Sequence, residues 1–363
     1  MTPHDDDESG EFEESEFEGL PSRERRGGRR SAAIAQRSER ARQREQAAGE
    51  RSTESAPASF DELPGESTIV AITRGQCEVE LDGAEVDCVL PKALVEVEEI
   101  AVGDRVKLAR RPDGTLFAAR LLERTNRLSR PDPFLAHRER IIAANLDIAV
   151  VVTAIRKPPL SMGLVDRFLV ALAHGGVPAA IAVNKVDLAD GDPAADPELA
   201  QLAGYPERGT PVIPCSAKQG IGLDELRQTI RGRTAVFVGH SGVGKSSLLK
   251  AIAPEFDVRV GAVSDMNDKG RHTTTRSRIY RLEDSSTRIV DTPGIREFGL
   301  WKLEREELAS YFEDLAALAP GCRFTDCTHT HEPGCAVLAA VESGALDTRR
   351  YTTYRRIFDS LGG

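Results

Sequence analysis

The 363-residue sequence has few aromatic side chains and no surplus of positive charge. Aromatic residues make up 5% of the chain, and the formal net charge is -10. No global positive field therefore draws the chain to nucleic acid, and any RNA contact must come from local clusters of Lys and Arg. Apolar residues still make up 40%, enough for buried cores in about two or three domains of ordinary size.

Long hydrophobic runs are also missing. No apolar run is long enough to span a bilayer, and the N-terminus lacks the hydrophobic stretch of a secretory signal. These absences predict a soluble cytoplasmic protein without a membrane partner, and we expect a monomer.

Cysteine is scarce, with six residues in the chain. Cys77, Cys88 and Cys215 lie in apolar or strand-like contexts, and we expect them to be small core residues. The other three form a cluster near the C-terminus. In a reducing cytosol such a cluster indicates metal binding before disulfides.

The composition predicts a disordered charged tail over residues 1–64. An acidic block over 5–14 is followed by an Arg-rich block over 23–44, and few apolar residues are available to order the backbone. Two interpretations stay open: a solvated tail, or an rRNA-binding arm that is held back by its own acidic block.

Residues 65–126 show short segments of alternating apolar and polar residues, separated by glycine-containing turns. This pattern predicts a small all-β barrel, for which an OB-fold is the natural candidate. Such barrels often bind oligonucleotides, and basic side chains of this region can contact phosphates or form a solvated face. The segments are 67–73, 77–81, 85–90, 104–109 and 116–121, and the basic residues are Arg105, Lys107, Arg110 and Arg111.

From residue 127 to 302, buried strands alternate with amphipathic segments. The fold class predicted here is α/β, a three-layer domain with a mainly parallel sheet. A mostly helical C-terminal domain over 303–363 surrounds the Cys/His cluster. The predicted strands of the α/β domain are 146–152, 179–183, 211–214, 234–238 and 288–290.

A phosphate-binding loop is predicted between the strand 234–238 and a helix over 246–252. Its glycines let backbone N–H groups wrap a β-phosphate, and the helix N-terminus adds partial positive charge. Lys245 can reach the β- and γ-phosphates, and the Ser246 hydroxyl can ligate Mg²⁺. The residues of the loop are Gly239, His240, Ser241, Gly242, Val243, Gly244, Lys245, Ser246 and Ser247.

Two further motifs indicate that the base is guanine. Asn184-Lys185-Val186-Asp187 ends a buried strand, where α/β sheets bind ligands. The Asp187 carboxylate can accept from guanine N1–H and the exocyclic amine together, and adenine lacks both of these donors. A site of this kind can reject the wrong base by ~10⁴ or more. Ser216-Ala217-Lys218 follows another strand and falls where a G domain needs a loop to support the base.

A second phosphate-side motif is Asp291-Thr-Pro-Gly294, which follows a strand ending at Val290. The aspartate can hold Mg²⁺ through water, and the Gly294 N–H can bond the γ-phosphate, so hydrolysis would release the segment behind it. Residues 270–275 read Gly-Arg-His-Thr-Thr-Thr, and Thr274 is our candidate to complete the Mg²⁺ shell. Spacing does not decide among the threonines.

The order of the motifs predicts a circularly permuted G domain. In a Ras-like G domain the phosphate loop comes first and the base-reading motifs come last, whereas here both base-reading motifs precede residue 239. The same sheet can form if the old ends are joined and new ends are cut at the surface. The segment after Gly294 then leads directly into the C-terminal domain, so nucleotide state can act on that domain.

This order, with a barrel before it and a Cys/His cluster after it, resembles the ribosome small subunit-dependent GTPase A family over roughly residues 67–363. The strings that carry the resemblance are 239–247, 270–275, Asp-Thr-Pro-Gly-Ile-Arg-Glu-Phe at 291–298, and the cysteine spacing. The resemblance implies an OB-fold barrel, a permuted P-loop GTPase and a zinc domain. It also implies a role in late maturation of the small (30S) ribosomal subunit and its 16S rRNA, with GTPase activity stimulated by that subunit.

The cysteine cluster has the pattern Cys322-x₄-Cys327-x-His329-x₅-Cys335. Three thiolates and one imidazole make a closed tetrahedral set, which favours one structural Zn²⁺ over a catalytic metal. His331 competes with His329 as the fourth ligand; the resemblance favours His329, and spacing alone does not decide.

The residue that orients the attacking water is not evident. Ras-like proteins place a glutamine directly after the glycine of this motif, and here that position is Ile295, which cannot hydrogen-bond water. We therefore predict slow intrinsic turnover, with help from His272 or from a group that the ribosome supplies in trans. The alternative function is an RNA-binding module that senses the nucleotide with little catalysis.

Overall fold

The computed structural model describes residues 60–73, 76–97, 99–132, 139–254, 277–284, 286–291 and 303–361. The charged tail up to Ser59 and the segments that contain His272, Thr274, Gly294 and Ile295 lie outside these residues. Within the described ranges, none of the helices combines the length and apolar character needed to cross a membrane.

A closed β-barrel forms the first folded part of the chain. Its strands pair in the ring order β2-β3-β4-β6-β5 and back to β2, and the short strand β1 extends one edge. Alternating residues of each strand point inward, and Ile69, Val79 and Val106 are fully buried in its centre. The bounds are β1 Asp61–Glu62, β2 Ser67–Thr73, β3 Gln76–Leu81, β4 Ala84–Val89, β5 Arg105–Arg110 and β6 Leu116–Leu121.

The five strands predicted from alternation are all present, each within one residue at either end. A short helix, α1 (Lys92–Val97), lies between β4 and β5 and was not predicted, nor was β1. The five-stranded ring with crossing connections is that of an OB-fold. A separate hairpin of β7 (Arg127–Pro131) and β8 (Glu139–Ala144) follows the barrel.

The α/β part is built on the strand order β13-β14-β12-β9-β10-β11. The strands from β14 to β11 are parallel to one another, as the buried apolar runs predicted, and β13, which was not predicted, is antiparallel. One pairing, Ala71 with Arg278, joins barrel strand β2 to β13. The bounds are β9 Ile148–Ala154, β10 Ala179–Asn184, β11 Val212–Pro214, β12 Thr234–Val238, β13 Arg278–Arg281 and β14 Arg288–Asp291.

Helices cover both faces of this sheet and complete the three layers. On one face α2 (Met162–His174) buries Phe168 and Leu172 against β9 and β10. On the other face α4 (Leu223–Ile230) and α5 (Lys245–Ile252) bury a second apolar cluster. The short helix α3 (Pro197–Ala200) lies between β10 and β11.

The C-terminal part packs its own core and bonds to α2. Helices α6 (Glu313–Leu318), α7 (Ala336–Ser343) and α8 (Thr348–Ser360) enclose the buried Phe312 and Tyr354 rings. Arg350 of α8 bonds the buried Asp166 of α2 and, at 2.9 Å, Asp314. This buried charge network attaches the C-terminal part to the α/β part, because an unpaired charge there would be costly.

Candidate functional site

The carboxyl edge of the parallel sheet gathers the predicted nucleotide-binding segments. β12 lies in the middle, paired with β14 on one side and β9 on the other, and the loop 239–244 leaves its carboxyl end. β10, next to β9, ends at Asn184, and β14 ends at Asp291. Motifs far apart in the chain therefore meet at one edge, as expected of a binding site in an α/β sheet.

The loop after β12 has the backbone of a phosphate cradle. Gly239 has a φ of 140°, and a Cβ there would lie 2.1 Å from the Val152 carbonyl oxygen. Gly244 has a φ of 94°, and a Cβ there would lie 2.3 Å from the Asn184 amide nitrogen. Only glycine fits both positions, because the left-handed backbone and the close approach each exclude a side chain. Lys245 then begins α5, whose N-terminus faces the loop.

Asn184 connects the two predicted base-reading segments to the predicted phosphate-binding loop. This residue is only 1% exposed. Its Nδ2 donates to the Val243 carbonyl at 2.9 Å, and its Oδ1 accepts from the Ala217 N–H at 3.2 Å. One amide thus holds three separate loops in register. Asparagine suits this position because it carries a donor and an acceptor on one short side chain.

Two lysine ammonium groups brace the same loop. Lys245 Nζ donates to the carbonyls of Gly239 at 2.7 Å and His240 at 2.8 Å. Lys185 Nζ donates to the Gly242 carbonyl at 2.7 Å and to that of Lys157. Lys185 has a left-handed backbone, with a φ of 65°, which turns the chain from β10 into a short 3₁₀ turn over Val186–Leu188.

Asp187 is oriented by the loop at 216–218. The Ser216 hydroxyl, which is buried, donates to Asp187 Oδ1 at 2.5 Å and accepts from the Gln219 N–H at 3.1 Å. Asp187 is half-buried, and the hydrogen bond from Ser216 occupies only one of its two carboxylate oxygens. Val186 is buried in the structure, whereas Lys218 is exposed.

Asp291 and Ser246 are predicted to supply oxygen ligands at the phosphate end of this edge. Asp291 lies one residue beyond Val290, the last residue of β14 that pairs with β12. Burial raises the pKa of the Asp291 carboxyl, and a bound cation would favour its ionised form. Ser246 is exposed in the first turn of α5. Carboxylate and hydroxyl oxygens are the donor set that Mg²⁺ prefers, so the described residues fit that ion.

A second site is a cluster of Cys322, Cys327, His329 and Cys335, whose ligand atoms all lie within 4.8 Å of one another. His329 Nδ1 lies 3.5 Å from the Cys322 sulfur and 3.4 Å from the Cys335 sulfur. The competing His331 is exposed, and its Nδ1 bonds the Thr330 hydroxyl at 2.7 Å. The cluster can hold a zinc ion in a closed three-sulfur, one-nitrogen set.

Burial disfavours the charged forms of two ligands in this cluster. Burial raises the pKa of the Cys327 thiol to about 12 and lowers the pKa of the His329 imidazole. A bound cation favours the thiolate, which is the form that ligates. Helix α8 supports the ligand loop, because Tyr351 donates to the His329 carbonyl at 2.8 Å and Tyr354 donates to that of Thr328 at 2.7 Å.

Some residues that support these sites were not predicted from the sequence. The carbonyl of Lys157, which accepts from Lys185, belongs to no motif; its only signal is its place just beyond a buried strand. Glu332 was also missed. Its carboxylate accepts from the N–H groups of Thr328 and Thr330 and orders the turn around His329. Backbone acceptors and turn-forming carboxylates leave no spacing pattern.

Fold and site together define a circularly permuted P-loop GTPase with an N-terminal OB-fold barrel and a C-terminal helical part that carries a Cys₃His cluster. Comparison with known proteins agrees. The family model described as RsgA GTPase matches residues 121–301. A small ribosomal subunit biogenesis GTPase RsgA from Gemmatimonas aurantiaca is 42% identical over 268 residues, covering 73% of this chain and 85% of the relative. RsgA 2 from Bacteroides thetaiotaomicron is 37% identical over 287 residues, covering 77% and 91%.

Solved structures show the same likeness. The crystal structure of YjeQ from Thermotoga maritima has a TM-score of 0.64 at 30% identity and covers 82% of this chain and 99% of its own. That of YloQ, described as a circularly permuted GTPase, has a TM-score of 0.62 at 29% identity, with 83% and 95% covered. The chain belongs to the RsgA GTPase family.

Proposed function

We propose that this protein hydrolyses GTP to GDP and phosphate during late maturation of the small ribosomal subunit, and that the subunit stimulates its activity. The observation that carries the nucleotide part is the Asn184 amide, which joins the base-reading and phosphate-binding loops at one sheet edge. The ribosomal part follows from the relatives, which are named small ribosomal subunit biogenesis GTPases.

Base recognition is assigned to Asp187. The Ser216 hydroxyl donates to one lone pair of this carboxylate and thereby orients it. The remaining lone pairs of the carboxylate can accept from guanine N1–H and the exocyclic amine together. An adenine would leave the carboxylate without these donors, and an unpaired charged group in a partly buried site is costly.

The phosphates are assigned to the loop 239–247. In the structure Lys245 donates to two loop carbonyls. In the proposed complex its ammonium group donates instead to phosphate oxygens, which carry more negative charge than a carbonyl. Ser246, Asp291 and Thr274 are the proposed Mg²⁺ ligands, directly or through water. When bound, Mg²⁺ neutralises charge that develops between the β- and γ-phosphates. Gly294 is proposed to bond the γ-phosphate through its N–H.

The attacking water still needs a partner. His272 is our candidate within the chain and, like Gly294 and Thr274, it lies outside the described residues. Ile295 cannot serve, so the other source is a group supplied by the ribosome. Removing help of this kind commonly costs ~10³ to 10⁵ in rate. A His272→Ala variant with an unchanged ribosome-stimulated rate would eliminate the histidine.

The Cys₃His cluster is proposed to hold one structural zinc ion. Its four protein ligands leave no open position for a substrate. We also propose that the chain contacts the 16S rRNA through local basic residues such as Arg110 and Arg111. No membrane partner is proposed. We propose a cytoplasmic monomer.

The decisive experiment is multiple-turnover release of phosphate from GTP, titrated with purified small ribosomal subunits. We expect a low rate for the protein alone and a rate that rises and saturates with subunits. Lys245→Ala should abolish both rates. A nucleotide-sensing module would instead bind GTP tightly and show no stimulated turnover, and comparable ATP turnover would refute the assignment of the base.

A further inference from the structure

A row of side chains crosses from the proposed Mg²⁺ ligand Asp291 into the barrel. Asp291 pairs with Arg278 across β14 and β13, Arg278 pairs with Ala71 across β13 and β2, and Ala71 pairs with Glu78 across β2 and β3. Directly paired residues of antiparallel strands point to the same face of a sheet, with Cβ atoms about 5 Å apart. These side chains therefore share one face.

Arg278 has two possible partners in this row. The alanine between it and Glu78 is small enough for the guanidinium to reach across. Arg278 Nη2 lies 2.8 Å from Glu78 Oε2 and also bonds the Glu85 carboxylate. On its other side stands Asp291, whose carboxylate accepts no hydrogen bond from a side chain in the described ranges. The long arginine side chain is thus turned from the nucleotide site toward the barrel.

The contacts of Arg278 are partly shielded from solvent. The exposed fraction of its side chain is 22%, and that of Glu78 is 28%. Arg278 has a pKa raised above its usual range; burial alone would lower it, and the two glutamates outweigh that effect. Two carboxylates on one guanidinium compete strongly with a third carboxylate for the same donors.

We propose that Glu78 and Glu85 of the barrel are positioning residues that hold Arg278 away from Asp291 and so keep that carboxylate available to the divalent cation of the nucleotide site. This inference rests on the proposed function, because it takes Asp291 as a cation ligand. It gives the barrel a direct effect on the GTPase site. A ligand that drew Glu78 and Glu85 away would release Arg278 onto Asp291 and weaken cation binding.

The test is a Glu78→Gln/Glu85→Gln double variant of the full chain, with Mn²⁺ as the probe. Affinity of the protein–GDP complex for Mn²⁺ is measured by electron paramagnetic resonance, and GDP affinity without metal is measured alongside. We expect Mn²⁺ affinity to fall roughly tenfold. An adjacent arginine lowers the affinity of an aspartate for a proton by about that factor or more, and we expect a similar effect on a competing cation. Asp87→Asn, which changes a carboxylate opposite Glu78 on the neighbouring strand, should leave it unchanged.

Removal of Arg278 distinguishes this positioning role from a role in which the ion pairs only hold the barrel and the α/β part together. An added Arg278→Met should restore Mn²⁺ affinity to the double variant, and Arg278→Met alone should match the wild type. If Arg278→Met alone weakens Mn²⁺ binding as much as the glutamate changes do, the ion pairs act as a tether and the inference is wrong. Equal Mn²⁺ affinity of wild type and double variant also overturns it. Absence of GDP binding by the wild type would instead refute the proposed function.

Discussion

Replacement of Asn184 by alanine should weaken nucleotide binding strongly, although the change removes only one small side chain. The change removes the bonds to the Val243 carbonyl, which is buried, and to the Ala217 N–H, which is partly buried, and leaves both backbone groups without this partner. A buried group that loses its partner costs about 1–3 kcal/mol, so we expect the free energy of unfolding to fall by about 2–4 kcal/mol. Because the loops no longer share an anchor, GDP affinity should also fall by about tenfold or more.

Asn126→Ala is the matched control. Asn126 makes the same two kinds of bond, both at 2.8 Å, to the backbone of Leu146, which precedes β9 at the amino edge of the sheet. Chemical unfolding should show a comparable loss of stability, whereas fluorescence titration should show unchanged GDP affinity. If both variants weaken GDP binding equally, or if Asn184→Ala binds GDP like the wild type, Asn184 does not organise the site.

Three further predictions concern the base, the metal cluster and pH. Asp187→Asn should lower GDP affinity by about 10² or more and improve binding of xanthosine diphosphate, whose 2-carbonyl accepts from the new amide, in competitive titrations; unchanged preference would refute the assigned reader. Cys335→Ser should reduce zinc content below the one equivalent expected for wild type and lower the melting temperature, whereas His331→Ala should retain the zinc. If GTP turnover stops when zinc is lost from an otherwise folded protein, the ion is not purely structural. The hydrogen bond from Arg156 lowers the pKa of Asp196, so its contribution to stability is present above the pKa of an unfolded aspartate, about 4, and is lost as pH falls through the folded value. Asp196→Asn should therefore melt below the wild type at pH 7, with a difference that shrinks under about pH 4 in thermal scans; a constant difference would show that its charge is irrelevant.

Prediction from the sequence succeeded where one local pattern carried the information. Alternation in the barrel and apolar runs in the sheet set the burial of each strand, since side chains alternate across a strand and parallel strands are buried on both faces. It failed for α1, β1 and β13. β13 has the sequence Arg-Ile-Tyr-Arg, whose apolar pair is too short to distinguish from a loop, and it is held as a strand by its neighbours β14 and β2.

The amino-acid sequence by itself carried the chemistry proposed for this protein: the loop predicted to wrap phosphates, the carboxylate predicted to read guanine, and the sulfurs that can hold zinc. These properties reside in residue types at short spacing, where the chain fixes the distance. Only the tertiary structure decided how the pieces meet. It selected His329 over His331 by placing one imidazole among the sulfurs, joined three loops through Asn184, and aligned Asp291, Arg278 and Glu78 in one row. Such juxtapositions depend on strand register between distant segments, and no local pattern encodes them.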